Sequence, residues 1–120
     1  MNGANPPCSR GEIWMLSFEP RRGSEQGGRR PCVIVQTDLG NHAPGARTTI
    51  VVPLTSQGRD FVFYIPVPKS RESGLPQDSW ANCTQLFTVD RGRLERRLGL
   101  AGAGAMQAIG EALKATLALD

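Results

Sequence analysis

The feature that most limits what this chain can become is its punctuation. From Glu12 to Thr88, runs of bulky and β-branched residues stay short, and glycine, proline and arginine separate them. Such runs read as strands, and several strands at this spacing suggest a small barrel. Glu12 to Phe18 (EIWMLSF) puts Trp14, Leu16 and Phe18 on one face and Ile13 and Met15 on the other. Cys32 to Gln36 (CVIVQ) is apolar without alternation, which predicts a strand buried on both faces. Thr48 to Leu54 (TTIVVPL) is β-branched, and its Pro53, which cannot donate to a ladder, is expected at an edge or bulge. Thr55 closes that strand. Phe61 to Val67 (FVFYIPV) and Trp80 to Thr88 (WANCTQLFT) give a fourth and a fifth strand, with the polar stretch 69–78 between them.

Two loops interrupt these strands. Residues 19–31 (EPRRGSEQGGRRP) hold three glycines, two prolines and four arginines and cannot bury a face. Residues 38–47 (DLGNHAPGAR) form the second. Near the end the period changes. Asp90 suits an N-cap, and Leu94 and Leu98, four apart, predict a short basic helix that Gly99 stops. From Ala103 to Leu119, Met106, Ile109, Leu113 and Leu117 recur at steps of three and four, the mark of an amphipathic helix that should cover the barrel. The Ala/Gly run 101–105 reads as a linker and helix start.

At 120 residues one core suffices, so a single domain is expected over 10–120 after a disordered lead-in, 1–9, that contains Pro6 and Pro7. The first ten residues lack the apolar centre of a secretory signal and no run is long enough to span a bilayer, so a cytoplasmic location with no membrane partner is expected. The net charge is +3, with 12 arginines against two lysines. Arginine's planar fork suits phosphates and base edges, although so small an excess fits a solvated surface equally well.

Three cysteines (Cys8, Cys32, Cys83) without a CxxC pair, and one histidine, make a four-ligand zinc site unexpected; no metal and no cofactor is foreseen. Gly102-x-Gly104 lacks the third glycine of a dinucleotide fingerprint, and Gly27-Gly28 precede arginine where a phosphate-binding loop needs lysine and a hydroxyl. His42 lies in a Gly/Pro-bearing loop, where a solvated side chain is the simpler reading than a catalytic base. The loop ending Arg29-Arg30-Pro31 and the strand end Thr55-Ser56-Gln57 remain.

Around these residues the run RGEIWMLSFEP, then GSEQGGRRPCVIVQTDLGN, then the strand ending in Leu54-Thr55-Ser56-Gln57, then SWANCTQLFTVDRGRLERRLG and a last helix, resemble the MazF/PemK toxins in order and spacing over about residues 10–119. The resemblance implies a mainly β fold: a small SH3-like β-barrel with a short helix and a C-terminal amphipathic helix, working as a homodimer. It implies the toxin half of a type II toxin–antitoxin pair, a sequence-specific endoribonuclease that cleaves single-stranded RNA without a metal and is blocked by an acidic antitoxin. The family's catalytic arginine falls on Arg30 and its catalytic threonine on Thr55. Its substrate contacts fall on Glu25, Gln26, Asn41 and Gln85, with Arg29 expected to hold the RNA backbone. Two departures stand near the expected groove: the second loop is about two residues longer than in familiar relatives, and Thr84 stands where an acidic residue often precedes the glutamine. Metal-free cleavage by attack of a ribose 2′-oxygen needs charge stabilisation, a proton acceptor and a proton donor. Arg30 suits the first need, Thr55 can hydrogen-bond a phosphate oxygen or the leaving group, and Glu25 or a water is the candidate base. Two alternatives differ in kind: a CcdB-like toxin that binds DNA gyrase and cuts nothing, and a noncatalytic nucleic-acid-binding module.

Overall fold

The computed structural model describes residues 6–18 and 28–120. The elements run β1 (Glu12–Ser17), β2 (Arg29–Ile34), α1 (Asp38–Asn41), β3 (Thr48–Thr55), β4 (Tyr64–Val67), β5 (Ser79–Asn82), β6 (Phe87–Asp90), a 3-10 turn (Arg91–Arg93), β7 (Leu94–Leu100) and α2 (Ala103–Thr116). The seven strands form one antiparallel sheet in the order β4-β5-β3-β2-β1-β7, with β6 also on β3. The fold is mainly β with a C-terminal helix, as expected. The sheet is open: among the described residues β4, β6 and β7 each pair with one strand only.

Alternation along the strands feeds two cores. Ile13, Val33, Val52, Leu54, Val67 and Ala81 point to the side covered by α2, which contributes Ile109 and Ala112. Trp14, Leu16, Cys32, Ile34, Val51, Val89 and Leu94 pack on the other side with Cys8. Residues 32–35 are buried throughout, as the unbroken apolar run predicts. Full burial of a side chain such as Ile109 stabilises by about 2 kcal/mol, so the helix is held chiefly by this face.

The structure corrects several expectations. Arg29 to Pro31 belong to β2 and pair with Ser17 to Met15, so that loop ends earlier than its composition suggests. The second loop opens with α1, whose first turn is capped by the Thr37 side chain accepting from the Leu39 N–H. The fourth strand begins only at Tyr64, because the Tyr64 N–H closes a turn onto the Phe61 carbonyl. The stretch expected as one strand, 80–88, is two: Asn82 Oδ1 accepts from the Thr84 N–H and hydroxyl, and this turn divides β5 from β6. Asp90 does act as a cap, accepting from the Gly92 N–H, but of a single 3-10 turn. Leu94 and Leu98 then lie in a strand. A spacing of four is also two strand repeats, and register shifts between β1 and β7 send Leu94 into one core and Leu98 against the other.

Pro53 lies in central β3 and not at a sheet edge. The Val35 N–H donates to the Ile50 carbonyl, so the backbone groups of residues 50, 52 and 54 face β2 and those of Pro53 face the other side. There β6 pairs only up to Val51 and β5 only from Leu54. The missing donor falls in the gap between two partners.

The lead-in, expected to be disordered over 1–9, is anchored from Pro6 onward. Cys8 is buried, and the buried Arg91 guanidinium donates from Nε and Nη2 to the Pro6 carbonyl and from Nη1 to the Asn41 carbonyl at 2.7 Å. Arg10 donates to the Val35 carbonyl and its N–H to Asp38 Oδ1. Asn41, 1 % exposed, knits this corner: its amide donates to the Gln36 carbonyl and Asp38 Oδ1, and its Oδ1 accepts from Gln36 Nε2 and from the Thr49 hydroxyl at 2.6 Å. Among the described residues no helix is long and apolar enough to cross a membrane.

Asn41→Ala leaves several of these partners unpaired and is expected to cost roughly 2 kcal/mol, about 8 °C in Tm, in thermal melts. Hydrogen bonds from the Asn41 amide, then from the Arg10 N–H, hold the Asp38 carboxyl below its ordinary value. A depressed carboxylate contributes stability above its unfolded pKa, about 3.9, and loses it as pH falls through the lower folded value. Melts between about pH 5 and pH 2 should therefore show a shallower acid loss for Asp38→Asn than for wild type; identical acid limbs would remove Asp38 from this role.

Candidate functional site

Antiparallel register brings the two strongest sequence candidates together. β2 and β3 pair from Ile34↔Val51 to Cys32↔Pro53, and Arg30 and Thr55 each lie two residues beyond that last pair, at the same end of the two strands. On the far side of β3, Thr55 pairs with Trp80 of β5, and Trp80 with Pro66 of β4. Arg30, Thr55, Trp80 and Pro66 thus form a row across four strands, on the sheet face away from Leu54, Ala81 and Ile65, which serve the core beneath α2.

Arg30 is half-buried, and its Nε is out of water with no hydrogen-bond partner among the described residues. A buried donor left so costs about 1–3 kcal/mol. The Thr55 hydroxyl oxygen accepts from the Gln57 N–H at 3.1 Å, which leaves its own proton free to donate. A cleft of about 240 Å³ lies where these strands end, lined by Arg29, Arg30, Pro31, Leu54, Ser56 and Gln77 among others; Arg30 lines it and Thr55 does not.

The remaining candidates divide. Arg29 is exposed and donates from Nε to Glu95 Oε1 at 2.7 Å, so its charge is shared with β7. Gln85 is half-buried in the turn between β5 and β6, with its Oε1 unpartnered among the described residues. Asn41 is a correction: every donor and acceptor of its buried amide is used within the α1 corner, so it holds the fold and has no free group for a substrate. Glu25 and Gln26 lie outside the described residues. Burial raises the thiol pKa of all three cysteines, that of Cys83 to about 11, so none is poised as a nucleophile. Among the described residues no three His, Cys, Asp or Glu side chains gather as metal ligands. Trp80 and Arg91 were not singled out from the sequence. Alternation in Ser79–Asn82 does place Trp80 on the outer face, but its pairing with Thr55 is long-range.

A family model for PemK-like, MazF-like toxins of type II toxin–antitoxin systems matches residues 9–117. The chain is 34% identical over 113 residues to the endoribonuclease MazF9 of Mycobacterium tuberculosis, covering 92% of this chain and 96% of that protein. It is 33% identical over 113 residues to the endoribonuclease MazF of Staphylococcus saprophyticus, covering 92% and 91%. Among solved structures it is similar to MazF (Form-I) of Deinococcus radiodurans, with TM-score 0.80, 23% identity and coverage of 96% and 100%. It is also similar to an endoribonuclease in complex with its cognate antitoxin from a mycobacterial species, with TM-score 0.77, 21% identity and coverage of 94% and 97%. These two structural likenesses speak to the fold.

The unpartnered Arg30 Nε has a measurable consequence for stability. Arg30→Met removes a buried donor without stranding an acceptor, so Tm is expected to stay level or to rise, by about 1 kcal/mol of stability at most. A loss above about 2 kcal/mol would show that Arg30 holds the fold together.

Proposed function

The chain belongs to the PemK-like, MazF-like toxins of type II toxin–antitoxin systems, and from that premise we propose that it is a sequence-specific endoribonuclease that cuts single-stranded RNA at the Arg30–Thr55 row. The observation that supports this reading is that a partly buried guanidinium and a threonine hydroxyl both lie two residues beyond the last β2–β3 pair, Cys32↔Pro53, at the same end of the two strands. The relatives named endoribonuclease support it.

In the proposed reaction a ribose 2′-oxygen attacks the adjacent phosphorus and the bond to the 5′-oxygen breaks. The products are a cyclic phosphate and a 5′-hydroxyl end. Charge grows on the phosphoryl oxygens as the new bond forms, and Arg30, whose fork is fixed and charged, donates to them. Thr55, held by the Gln57 N–H, donates its proton to a phosphate oxygen or to the departing oxygen. The proton leaving the 2′-hydroxyl needs an acceptor, for which Glu25 or a water is the candidate. This route asks for no metal ion. Arg29, already paired with Glu95, holds the RNA backbone, and Gln26 and Gln85 read bases splayed from a single strand.

The partner in this reading is an acidic antitoxin whose disordered tail folds onto the basic groove and excludes RNA, and the active form is a cytoplasmic homodimer. The relative solved with its cognate antitoxin supports such a partner. A gyrase-binding toxin of the CcdB kind is not favoured, because the relatives matched are named endoribonucleases.

Purified, antitoxin-free protein is expected to cut single-stranded RNA in excess EDTA and to spare duplex RNA; loss of cutting on chelation, restored by magnesium or manganese, overturns the metal-free route. Thr55→Ala should reduce single-turnover cleavage by at least about 100-fold while changing stability by roughly 1 kcal/mol or less. Arg30→Lys keeps the charge but loses the fork, so it should retain much RNA binding and lose most cleavage, whereas Arg29→Lys should weaken binding in a salt-dependent way and spare the saturated rate. Equal, mild effects of the two lysine substitutions would make this strand end a basic holding surface only.

A further inference from the structure

The row that begins with Arg30 and Thr55 does not stop there. Its next two members, Trp80 and Pro66, floor a hollow of about 500 Å³ that Gly58, Arg59, Phe61 and Tyr64 complete. The hollow is aromatic by construction. Phe61 meets Phe63 edge-on with ring centres 5.2 Å apart and Tyr64 at 6.0 Å, and the Arg59 guanidinium lies 5.4 Å over the Tyr64 ring. Phe61 remains 44 % exposed and Val62 72 % exposed. The backbone of Gly58 lies against the Trp80 indole so closely that a Cβ there would meet Cδ2 at 2.1 Å, which fixes the ring from one side.

Flat rings and a guanidinium plane, half-open to solvent, take a flat partner. Arg59 and Asp60 are both in the lining, so the hollow offers one cation and one carboxylate, and a phosphate or an acidic peptide gains little there. A neutral planar group with polar edges fits both features: it stacks on the rings or the guanidinium and finds a donor and an acceptor at the rim. Neighbouring strands lie about 4.8 Å apart. Trp80 and Pro66 are therefore on the order of 5 and 10 Å from Thr55 across the sheet, within reach of a nucleotide adjoining one held at Thr55.

We propose that the hollow of Arg59, Phe61, Tyr64, Pro66 and Trp80 is a nucleobase-stacking subsite that holds a base one or two nucleotides from the phosphate at Thr55. The subsite rests on the RNA-cleaving reading above and adds to it a position where the base is gripped by its flat face. Stacking tolerates any base, so this subsite supplies affinity and register.

The test is an abasic scan. Short single-stranded RNA oligonucleotides, each with one base removed, are titrated against the wild-type chain by fluorescence anisotropy, while cleavage of the intact oligonucleotide is followed in parallel. One position should show a loss of affinity of about tenfold. In Tyr64→Leu and Trp80→Leu, affinity for the intact oligonucleotide should fall by a similar factor and the abasic penalty at that position should disappear. Arg59→Gln, a surface change that keeps the fold, serves the same comparison if Trp80→Leu melts early. A penalty that persists unchanged in Tyr64→Leu and Arg59→Gln overturns the subsite, even with cleavage intact. Binding with the expected pattern but no cleavage upholds the subsite and overturns the catalytic reading; no binding of any oligonucleotide overturns both.

Discussion

Backbone pairing on β3 is the constraint from which the rest of the molecule follows. An antiparallel strand has two edges, and β3 gives one to β2 and divides the other between β6 and β5. Every N–H along a buried strand needs an acceptor, and a change of partner leaves one position where none is at hand. Pro53, which has no N–H, occupies that position. The two halves of the sheet can therefore meet on one strand without stranding a buried donor. The cores on the two faces, the cover by α2 and the row from Arg30 to Pro66 all take their positions from this shared strand.

A division of labour among arginines accompanies it. Arg91 is buried with its donors on carbonyl oxygens, and it ties residue 6 to the α1 corner. Arg30 is partly buried with its Nε on nothing among the described residues. The first arrangement stabilises the fold; the second costs it stability. Proteins commonly accept such a cost where a charged ligand is to be bound.

Much of this was legible in the sequence where the signal was local. The apolar run Cys32 to Val35 and the spacing of Met106, Ile109 and Leu113 specify burial from a single element, and the structure agrees. Errors arose where two periods share a spacing or where long-range pairing decides. Leu94 and Leu98 fit a helix and a strand alike, and β1 selected the strand. Asn82 needed only its own side chain to split the 80–88 segment, a local cue outweighed by the β-rich composition around it. Asn41, which the family resemblance marks as a substrate contact, has its amide taken up by Thr49 and Gln36, contacts that no local pattern shows. The placing of Arg30 and Thr55 at the same strand end is invisible to any local pattern, since it depends on register between β2 and β3; family resemblance supplied what spacing did not.

An open sheet ordinarily invites another chain to add a strand, and its end strands, β4 and β7 among them, decide whether that happens. On β4, the Phe63 carbonyl accepts from the Cys83 N–H, so residues 63, 65 and 67 turn their backbone groups to β5 and residues 64 and 66 turn theirs outward. The Tyr64 N–H is spent on the Phe61 carbonyl, and Pro66 has none. The outer rim of β4 is left without a single backbone donor, and β7 at the opposite end carries Glu95, Arg96 and Arg97 in succession. Fibre-like growth through edge-to-edge addition is therefore discouraged at β4 and at β7.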